Sequence, residues 1–184
     1  RIDLKVPGRH NVDNALAAFA AAKVFEIDNK FIKEGLENYG GTDRRFQYKG
    51  NFNGITVIDD YAHHPTEVKA TLSAAKNIEK NKLWCIFQPH TYSRTYNLLD
   101  EFSEAFDDAD KIVVADIYAA REKDTGLINS SVLVERIKQR GGDAVYVGGF
   151  DEIKEYIRQN CSEGDLLITM GAGDVYLIGE DLVK

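Results

Sequence analysis

The chain has 184 residues, of which 43% are hydrophobic and 29% charged, and its net charge is −7. This composition is typical of a globular protein with a substantial core, and no run of about 18 apolar residues predicts a membrane span. The acidic balance argues against nucleic acid as a partner, because phosphate contacts need a basic face. Cys85 and Cys161 lie far apart, in no metal-like spacing, and fit buried thiols in a reducing compartment such as the cytoplasm. The start at Arg1, without a methionine or a leader, suggests a piece of a longer polypeptide.

The first 40 residues predict two helices. An apolar stripe at helical spacing runs through an alanine-rich stretch after Pro7-Gly8, and its members are Val12, Leu16, Phe19 and Ala20. A second helix is predicted over residues 30–39, with its C-cap and a hinge at Gly40-Gly41.

Beyond Gly41 the hydrophobic period changes. FQYKG and ITVID are strand-like, and the Asn53-Gly54 pair between them is a hairpin signal. The apolar runs LWCIF, KIVVA, AVYV and DLLIT then alternate with helices predicted over residues 66–79, 96–109, 131–140 and 151–160, and a last short helix follows MGAGD. This alternation predicts an α/β fold with a mostly parallel sheet covered by helices on both faces. We expect residues 42–184 to form one complete domain and residues 1–41 to be the last helices of a preceding one.

Ligands in such sheets bind beyond the carboxyl ends of the strands. The exits read DDYAHHPTE, QPHTYSRT, DIYAAREKDTG and MGAGDV, all rich in charged, hydroxyl or glycine residues. An ordinary loop with a helix cap, for example at Thr66, would explain one of them, but four on one edge favour a binding site. The glycines of MGAGD indicate a tight turn, because Tyr176 stands where a dinucleotide fingerprint needs its third glycine.

The first exit leaves two kinds of site open. Its residues include the metal-ligand types Asp59, Asp60, His63, His64 and Glu67. Their spacing matches no known metal cage, and adjacent residues of a strand point to opposite faces. A pocket for a polar substrate fits better: His63 can take a proton from an amine or orient a carboxylate, and Arg94 can clamp a carboxylate or phosphate. We therefore expect no metal ligands in this chain.

Together these stretches resemble the Mur ligases, in the order PGRHNVDNALAA (7–18), GTDRRF (41–46), DDYAHHPTE (59–67), FQPHTYSRT (87–95), DIYAAREKDTG (116–126) and MGAGDV (170–175). The resemblance implies a three-domain enzyme, of which this chain would be the tail of the central ATP-binding domain and a Rossmann-like C-terminal domain. The implied reaction uses ATP and Mg2+ to activate the lactyl carboxylate of UDP-N-acetylmuramate as an acyl phosphate, which the amine of L-alanine attacks. This step belongs to peptidoglycan precursor synthesis in the cytoplasm. The phosphate-binding loop and the main magnesium ligands would lie upstream, so we expect this chain alone to fold but to be inactive.

The resemblance also implies a set of nucleotide-binding residues. His10, Asn11 and Asn14 match an H-N-x-x-N motif near the adenine, although Asn11 could instead be only a helix N-cap. Arg45 matches an arginine that reaches the nucleotide phosphates and would stabilise charge on the transferring phosphoryl group. Asp60 matches an aspartate that helps to hold the nucleotide.

The amino-acid side is implied by the next block of residues. Tyr61, His63 and Arg94 correspond to residues expected near the alanine, with His63 orienting the amino acid or accepting its ammonium proton and Arg94 binding its carboxylate. His64 and His90 are further candidates, each of which could equally be a structural histidine.

Neighbouring positions qualify this picture. Arg44 is expected to be a solvated or ribose-side residue, and Asp59 only a structural neighbour of Asp60. Thr91 stands where some family members have arginine, which leaves Arg94 as a single carboxylate clamp. Members that add a preformed tripeptide tend to have phenylalanine at the position of Tyr61, so Tyr61 favours alanine. That tripeptide ligase and, from another class, a metal-binding α/β module are the alternatives.

Overall fold

The computed structural model describes residues 1–6 and 8–184, and these divide into two compact units, Arg1–Asp43 and Arg44–Lys184. The first unit contains helices α1 (Arg9–Val24) and α2 (Asn29–Asn38). Because α1 begins after Gly8, Asn11 lies inside its first turn, where its N–H donates to Gly8 O at 3.1 Å. The alternative that Asn11 is an N-cap is therefore wrong. In the described residues no helix has the length and apolarity needed to cross a membrane.

The second unit is built on a sheet in which the described strands lie in the order β1-β2-β6-β3-β4-β5. Every neighbouring pair is parallel except β1 and β2, which form an antiparallel hairpin. The φ angles of Asn53 and Gly54, 50° and 79°, are those that a two-residue hairpin turn of the primed type requires, which confirms the hairpin prediction. The strands span Gln47–Phe52 (β1), Ile55–Asp60 (β2), Leu83–Phe87 (β3), Lys111–Val114 (β4), Ala144–Tyr146 (β5) and Leu166–Met170 (β6).

Helices cover both faces of this sheet. In β3 the side chains of Leu83, Cys85 and Phe87 pack into one hydrophobic cluster, and those of Trp84 and Ile86 pack into the other. Strands buried on both faces explain the continuous apolar runs in the sequence and confirm the α/β prediction. The helices span Pro65–Lys76 (α3), Tyr92–Asn97 (α4), Leu99–Glu104 (α5), Ser130–Gln139 (α6), Phe150–Asn160 (α7) and Tyr176–Leu182 (α8).

Some element boundaries differ from the prediction. The helix expected over residues 96–109 is two short helices, α4 and α5, that meet at Leu98. The helical stretch starts earlier, at Tyr92, because the Thr91 hydroxyl accepts the N–H of Arg94 and caps α4. Arg94 therefore lies on a helix rather than in a loop. The C-cap of α2 is Tyr39, one residue before the predicted glycine pair.

The helix after β2 begins with a different cap from the one expected. Its N-cap is His64, not Thr66, and His64 forms a capping box with Glu67. Pro65 occupies the first helical position, where its missing N–H has no helical partner to lose.

Candidate functional site

The carboxyl ends of four neighbouring strands form one edge of the second unit. Because β6 lies between β2 and β3, and β4 follows β3, the four polar exits of the sequence are adjacent in space. The prediction that these exits share one edge is confirmed.

A circuit of contacts surrounds these exits, and we call it the exit ring. The Arg44 guanidinium lies 4.9 Å from the centre of the Tyr61 ring and donates to Gly173 O at 3.0 Å. The Tyr61 ring meets the His63 ring edge-on at 5.3 Å, and the His63 and His90 ring centres are 5.8 Å apart. His90 stacks on Tyr118 at 5.5 Å, and Tyr118 lies against Gly173, where a Cβ would be 2.8 Å from its Cγ. The exit ring thus consists of Arg44, Tyr61, His63, His90, Tyr118 and Gly173.

Asp60 shapes the turn that presents Tyr61 and His63. Only 5% of the residue is exposed, and its two carboxylate oxygens accept the N–H groups of Phe46 and Ala62, each at 2.8 Å. Burial raises the pKa of Asp60, although these hydrogen bonds oppose the rise. Since the carboxylate faces inward, a direct contact with a nucleotide would require this turn to open, and the nucleotide role of Asp60 stays a prediction.

His63 has a defined tautomer. Its Nδ1 lies 2.9 Å from the carbonyl oxygen of Tyr61, which can only accept, so Nδ1 carries the proton of the neutral ring. The lone pair is then on Nε2, which is free to accept a proton. Glu67 lies 3.5 Å from Nδ1 and would stabilise the imidazolium that results. Burial raises the pKa of Glu67, but amide hydrogen bonds from residues 63 and 64 outweigh it, so this carboxyl group is held below its ordinary pKa.

His90 has the opposite tautomer. Arg94 Nη1 lies 3.2 Å from His90 Nδ1, and because a guanidinium can only donate, Nδ1 accepts and Nε2 carries the proton. Burial, followed by the Arg94 charge, lowers the pKa of His90 and keeps the ring neutral. The edge therefore presents a proton acceptor on His63 and an N–H donor on His90, next to a guanidinium.

The two adjacent arginines have different environments, which corrects one expectation. The Arg44 side chain is only 19% exposed, and it forms an ion pair with the fully buried Asp59 at 3.0 Å. It also donates to Gly171 O at 2.6 Å, so the expectation of a solvated surface residue is wrong. Its position follows from its backbone, whose φ of 60° turns the side chain of Arg44 under the exits. Arg45 is exposed, with its guanidinium 5.8 Å from the centre of the Tyr61 ring.

His64 is not a member of the exit ring. His64 is exposed, and its Nδ1 accepts the N–H of Thr66 at 3.4 Å, which fits the structural alternative. His10, Asn11 and Asn14 lie on α1, where residues 10 and 14 are one turn apart. The side chain of His10 is outside the part of the chain that the structure describes, and the nucleotide role of these three residues stays a prediction.

Sequence reasoning missed several residues of this edge. Gln88 is 5% exposed, and its Oε1 accepts the N–H of Val175 at 3.2 Å, which anchors the glycine turn after β6. Tyr118 and Glu122 belong to the DIYAAREKDTG exit, to which no role was assigned. In the sequence, polar residues that directly follow each buried strand mark this edge. Residue type alone does not show which of these side chains face the site.

The metal-binding alternative finds no support in this edge. Among the described residues, no group of three or more His, Cys, Asp and Glu side chains is arranged to hold a metal ion. The candidate ligands are divided between different tasks: Asp59 pairs with Arg44, and Asp60 binds backbone amides.

Comparisons with known proteins identify relatives of this chain. The family model for the Mur ligase, glutamate ligase domain, matches residues 44–173. A UDP-N-acetylmuramate–L-alanine ligase of Lachnospira eligens is 57% identical over 183 residues, which is 100% of this chain and 40% of that protein. The crystal structure of a UDP-N-acetylmuramate-alanine ligase from Thermotoga maritima matches with a TM-score of 0.80 and 32% identity, over 99% of this chain and 39% of its own. A murein peptide ligase from Psychrobacter arcticus matches with a TM-score of 0.72 and 28% identity, over 98% of this chain and 38% of its own. The chain thus spans about two fifths of the length of these relatives.

Proposed function

Since the chain belongs to the Mur ligase family, we propose that it is the C-terminal portion of a UDP-N-acetylmuramate–L-alanine ligase. The observation that carries this proposal is the 57% identity to such a ligase along the whole chain. The full-length protein would join L-alanine to UDP-N-acetylmuramate in the cytoplasm, as a step of peptidoglycan synthesis. Residues 1–41 would complete the central ATP-binding domain and residues 42–184 would form the amino-acid domain. The boundary between the compact units, at Asp43, supports this division.

In this proposal the amino acid lies over the exit ring. Its carboxylate binds the guanidinium of Arg94, which is the single clamp that remains where Thr91 stands in place of an arginine. Tyr61 closes the side of the site next to His63. The small side chain of alanine fits a site whose walls are the aromatic rings of residues 61 and 118.

His63 acts on the amine. Its Nε2 accepts a proton from the ammonium group, and Glu67 at 3.5 Å stabilises the resulting imidazolium. The free amine then attacks the activated carbonyl carbon, the new C–N bond forms, the C–O bond to phosphate breaks, and the departing phosphate takes the second proton from the nitrogen. A neutral His63 with its lone pair on Nε2 is the form that this step needs.

In the second unit, Arg45 is the residue that would contact the nucleotide. Its exposed guanidinium can approach a phosphoryl group that carries developing negative charge. ATP supplies the phosphoryl group, and the family resemblance implies that the main Mg2+ ligands lie upstream of this chain in the full-length protein.

The test is phosphate release by the full-length protein with ATP, Mg2+ and UDP-N-acetylmuramate, to which alanine, glycine, serine or the tripeptide is added in turn. We expect turnover that depends on alanine and none from the 184-residue chain alone. Turnover with the tripeptide only would instead support a murein peptide ligase. The similarity of this chain to the Psychrobacter arcticus structure favours this second candidate. No turnover with any acceptor would refute a ligase function.

Adjacent histidines provide a matched pair of variants for the proposed base. His63→Gln should lower kcat on the order of 10²-fold, because it removes the proton acceptor. His64→Gln should leave kcat within about twofold. It should lower the free energy of unfolding by about 1 kcal/mol or less, because it weakens only a helix N-cap. Equal effects of the two variants would contradict the assignment of His63.

A further inference from the structure

The loop after β4, residues 115–129, is bound to the β3 exit by contacts that the proposed reaction does not use. Tyr118 donates its N–H to Pro89 O and accepts the N–H of Thr91, both at 2.8 Å. Glu122 accepts the N–H of Ser93 at 2.9 Å with one carboxylate oxygen and the Ser93 hydroxyl with the other. Both oxygens of Glu122 thus bind Ser93 in the first turn of α4, and the Tyr92 N–H and the Thr91 hydroxyl add to these contacts. These bonds hold the pKa of Glu122 below its ordinary value, so the carboxylate is ionised at neutral pH.

Helix α4 depends on such contacts for its position. It spans only Tyr92–Asn97, and a helix of this length does not hold itself in water. Its N-cap, Thr91, has φ 68° and ψ 142°, a region that a residue with a Cβ occupies only when its surroundings compel it. Glu122 binds the first turn of this helix directly and therefore opposes the relaxation of Thr91.

Arg94 follows Ser93 in the same turn. Its guanidinium lies 3.2 Å from His90 Nδ1, and the His90 ring stacks on Tyr118, from the same loop as Glu122. A shift of the first turn of α4 would separate the guanidinium from the imidazole. The proton on His90 would then no longer be confined to Nε2.

We infer that Glu122 is a positioning residue of the amino-acid site, which holds α4 through Ser93 so that Arg94 keeps its place beside His90 Nδ1 and presents its guanidinium to the substrate carboxylate. The kinetic part of this inference rests on the proposed function. The structural part, the effect of Glu122 on the Arg94–His90 pair, does not.

The kinetic experiment compares Glu122→Ala and Glu122→Gln in the full-length protein. Glu122→Ala should raise KM for L-alanine about tenfold, since a misplaced binding group costs one to two orders of magnitude, and should leave KM for ATP within about twofold. Glu122→Gln should restore most of the loss, because its amide oxygen can accept the Ser93 N–H and its amide group can donate to the Ser93 hydroxyl. Asp124→Ala is the matched control, because it removes a charge from the same loop at a residue whose carboxylate accepts the N–H of Gly126 rather than binding Ser93.

A second measurement does not need turnover. The 15N shifts of the His90 imidazole in the full-length protein report its tautomer, and the wild type should show Nδ1 as an acceptor at pH 8. Glu122→Ala should produce a mixture of tautomers, whereas Asp124→Ala should not. Ser93→Ala, which keeps the N–H bond and loses the hydroxyl bond, should give a smaller change in the same direction.

The outcomes separate the two proposals. If the wild type shows no alanine-dependent turnover, the proposed function fails, and the His90 tautomer alone decides the role of Glu122. An unchanged His90 tautomer in Glu122→Ala would overturn the inference. The inference would also be overturned if Glu122→Ala lowered kcat and the affinity for every substrate alike, in proportion to a loss of thermal stability.

Discussion

Replacing Arg44 by methionine removes the guanidinium that joins β2 to the turn after β6, while it keeps a side chain of similar length. The variant loses the ion pair with Asp59 at 3.0 Å and the hydrogen bonds to Gly171 O and Gly173 O, at 2.6 and 3.0 Å. Asp59 is 0% exposed, so its charge would keep only the hydroxyl of Thr169 at 2.7 Å.

The size of the effect follows from that burial. Removing one partner of a buried ion pair lowers the free energy of unfolding by about 3–5 kcal/mol, because the other charge stays buried without a partner. We expect the lower end, about 3 kcal/mol, since the Arg44 side chain retains 19% exposure. For a unit of this size the loss corresponds to a fall in Tm of roughly 10 °C.

The assay is urea unfolding of the 184-residue chain, followed by the fluorescence of Trp84. This is the single tryptophan of the sequence, it is 2% exposed, and it lies in β3, so it reports the second unit. Asp59→Asn in the Arg44→Met background should recover part of the loss, because it removes the uncompensated charge. Arg45→Met is the control: it should change stability by no more than about 0.5 kcal/mol, yet lower turnover of the full-length protein on the order of 10²-fold.

Two results would refute this reasoning. One is a loss below about 1 kcal/mol in Arg44→Met, since a buried carboxylate without its partner costs more than that. The other is a double variant no more stable than Arg44→Met alone, which would mean that the Asp59 charge is not the source of the cost.

Further predictions concern the same edge. Gly173→Ala should raise KM for alanine roughly tenfold in the full-length protein, because the new Cβ would displace the Tyr118 ring that stacks on His90. Gly35→Ala is the control: its Cβ would meet open space, so the kinetics should be unchanged. Thr91→Gly should stabilise the chain by about 1 kcal/mol in the urea assay, because glycine adopts φ 68° without strain; a loss of stability would show that the cap matters more. The lowered pKa of His90 means that the unfolded chain binds more protons than the folded one below about pH 6.5, so stability should fall as pH decreases through that range. His90→Gln should reduce this slope between about pH 7.5 and 5.5, and an unchanged slope would contradict the assigned environment.

Much of the fold follows from local rules that the sequence carries by itself. The alternation of apolar runs with helical periods predicted the α/β class, and Asn53-Gly54 predicted the hairpin. The rule that ligands bind beyond the carboxyl ends of parallel strands predicts from the sequence that His63 and Arg94 lie at one edge of the sheet. These inferences succeed because period, turn chemistry and strand direction depend on neighbours in the chain.

What the tertiary structure decided is the task of each side chain within that site. Arg44 and Arg45 are identical in type and adjacent, and only the backbone turn at Arg44 directs one guanidinium to buried Asp59 and leaves the other exposed. His63 and His64 divide in the same way, between the exit ring and a helix cap. The physical reason is that burial and hydrogen-bond partners come from residues far away in the chain, such as Thr169 for Asp59, and no local pattern specifies which distant partner a polar side chain meets.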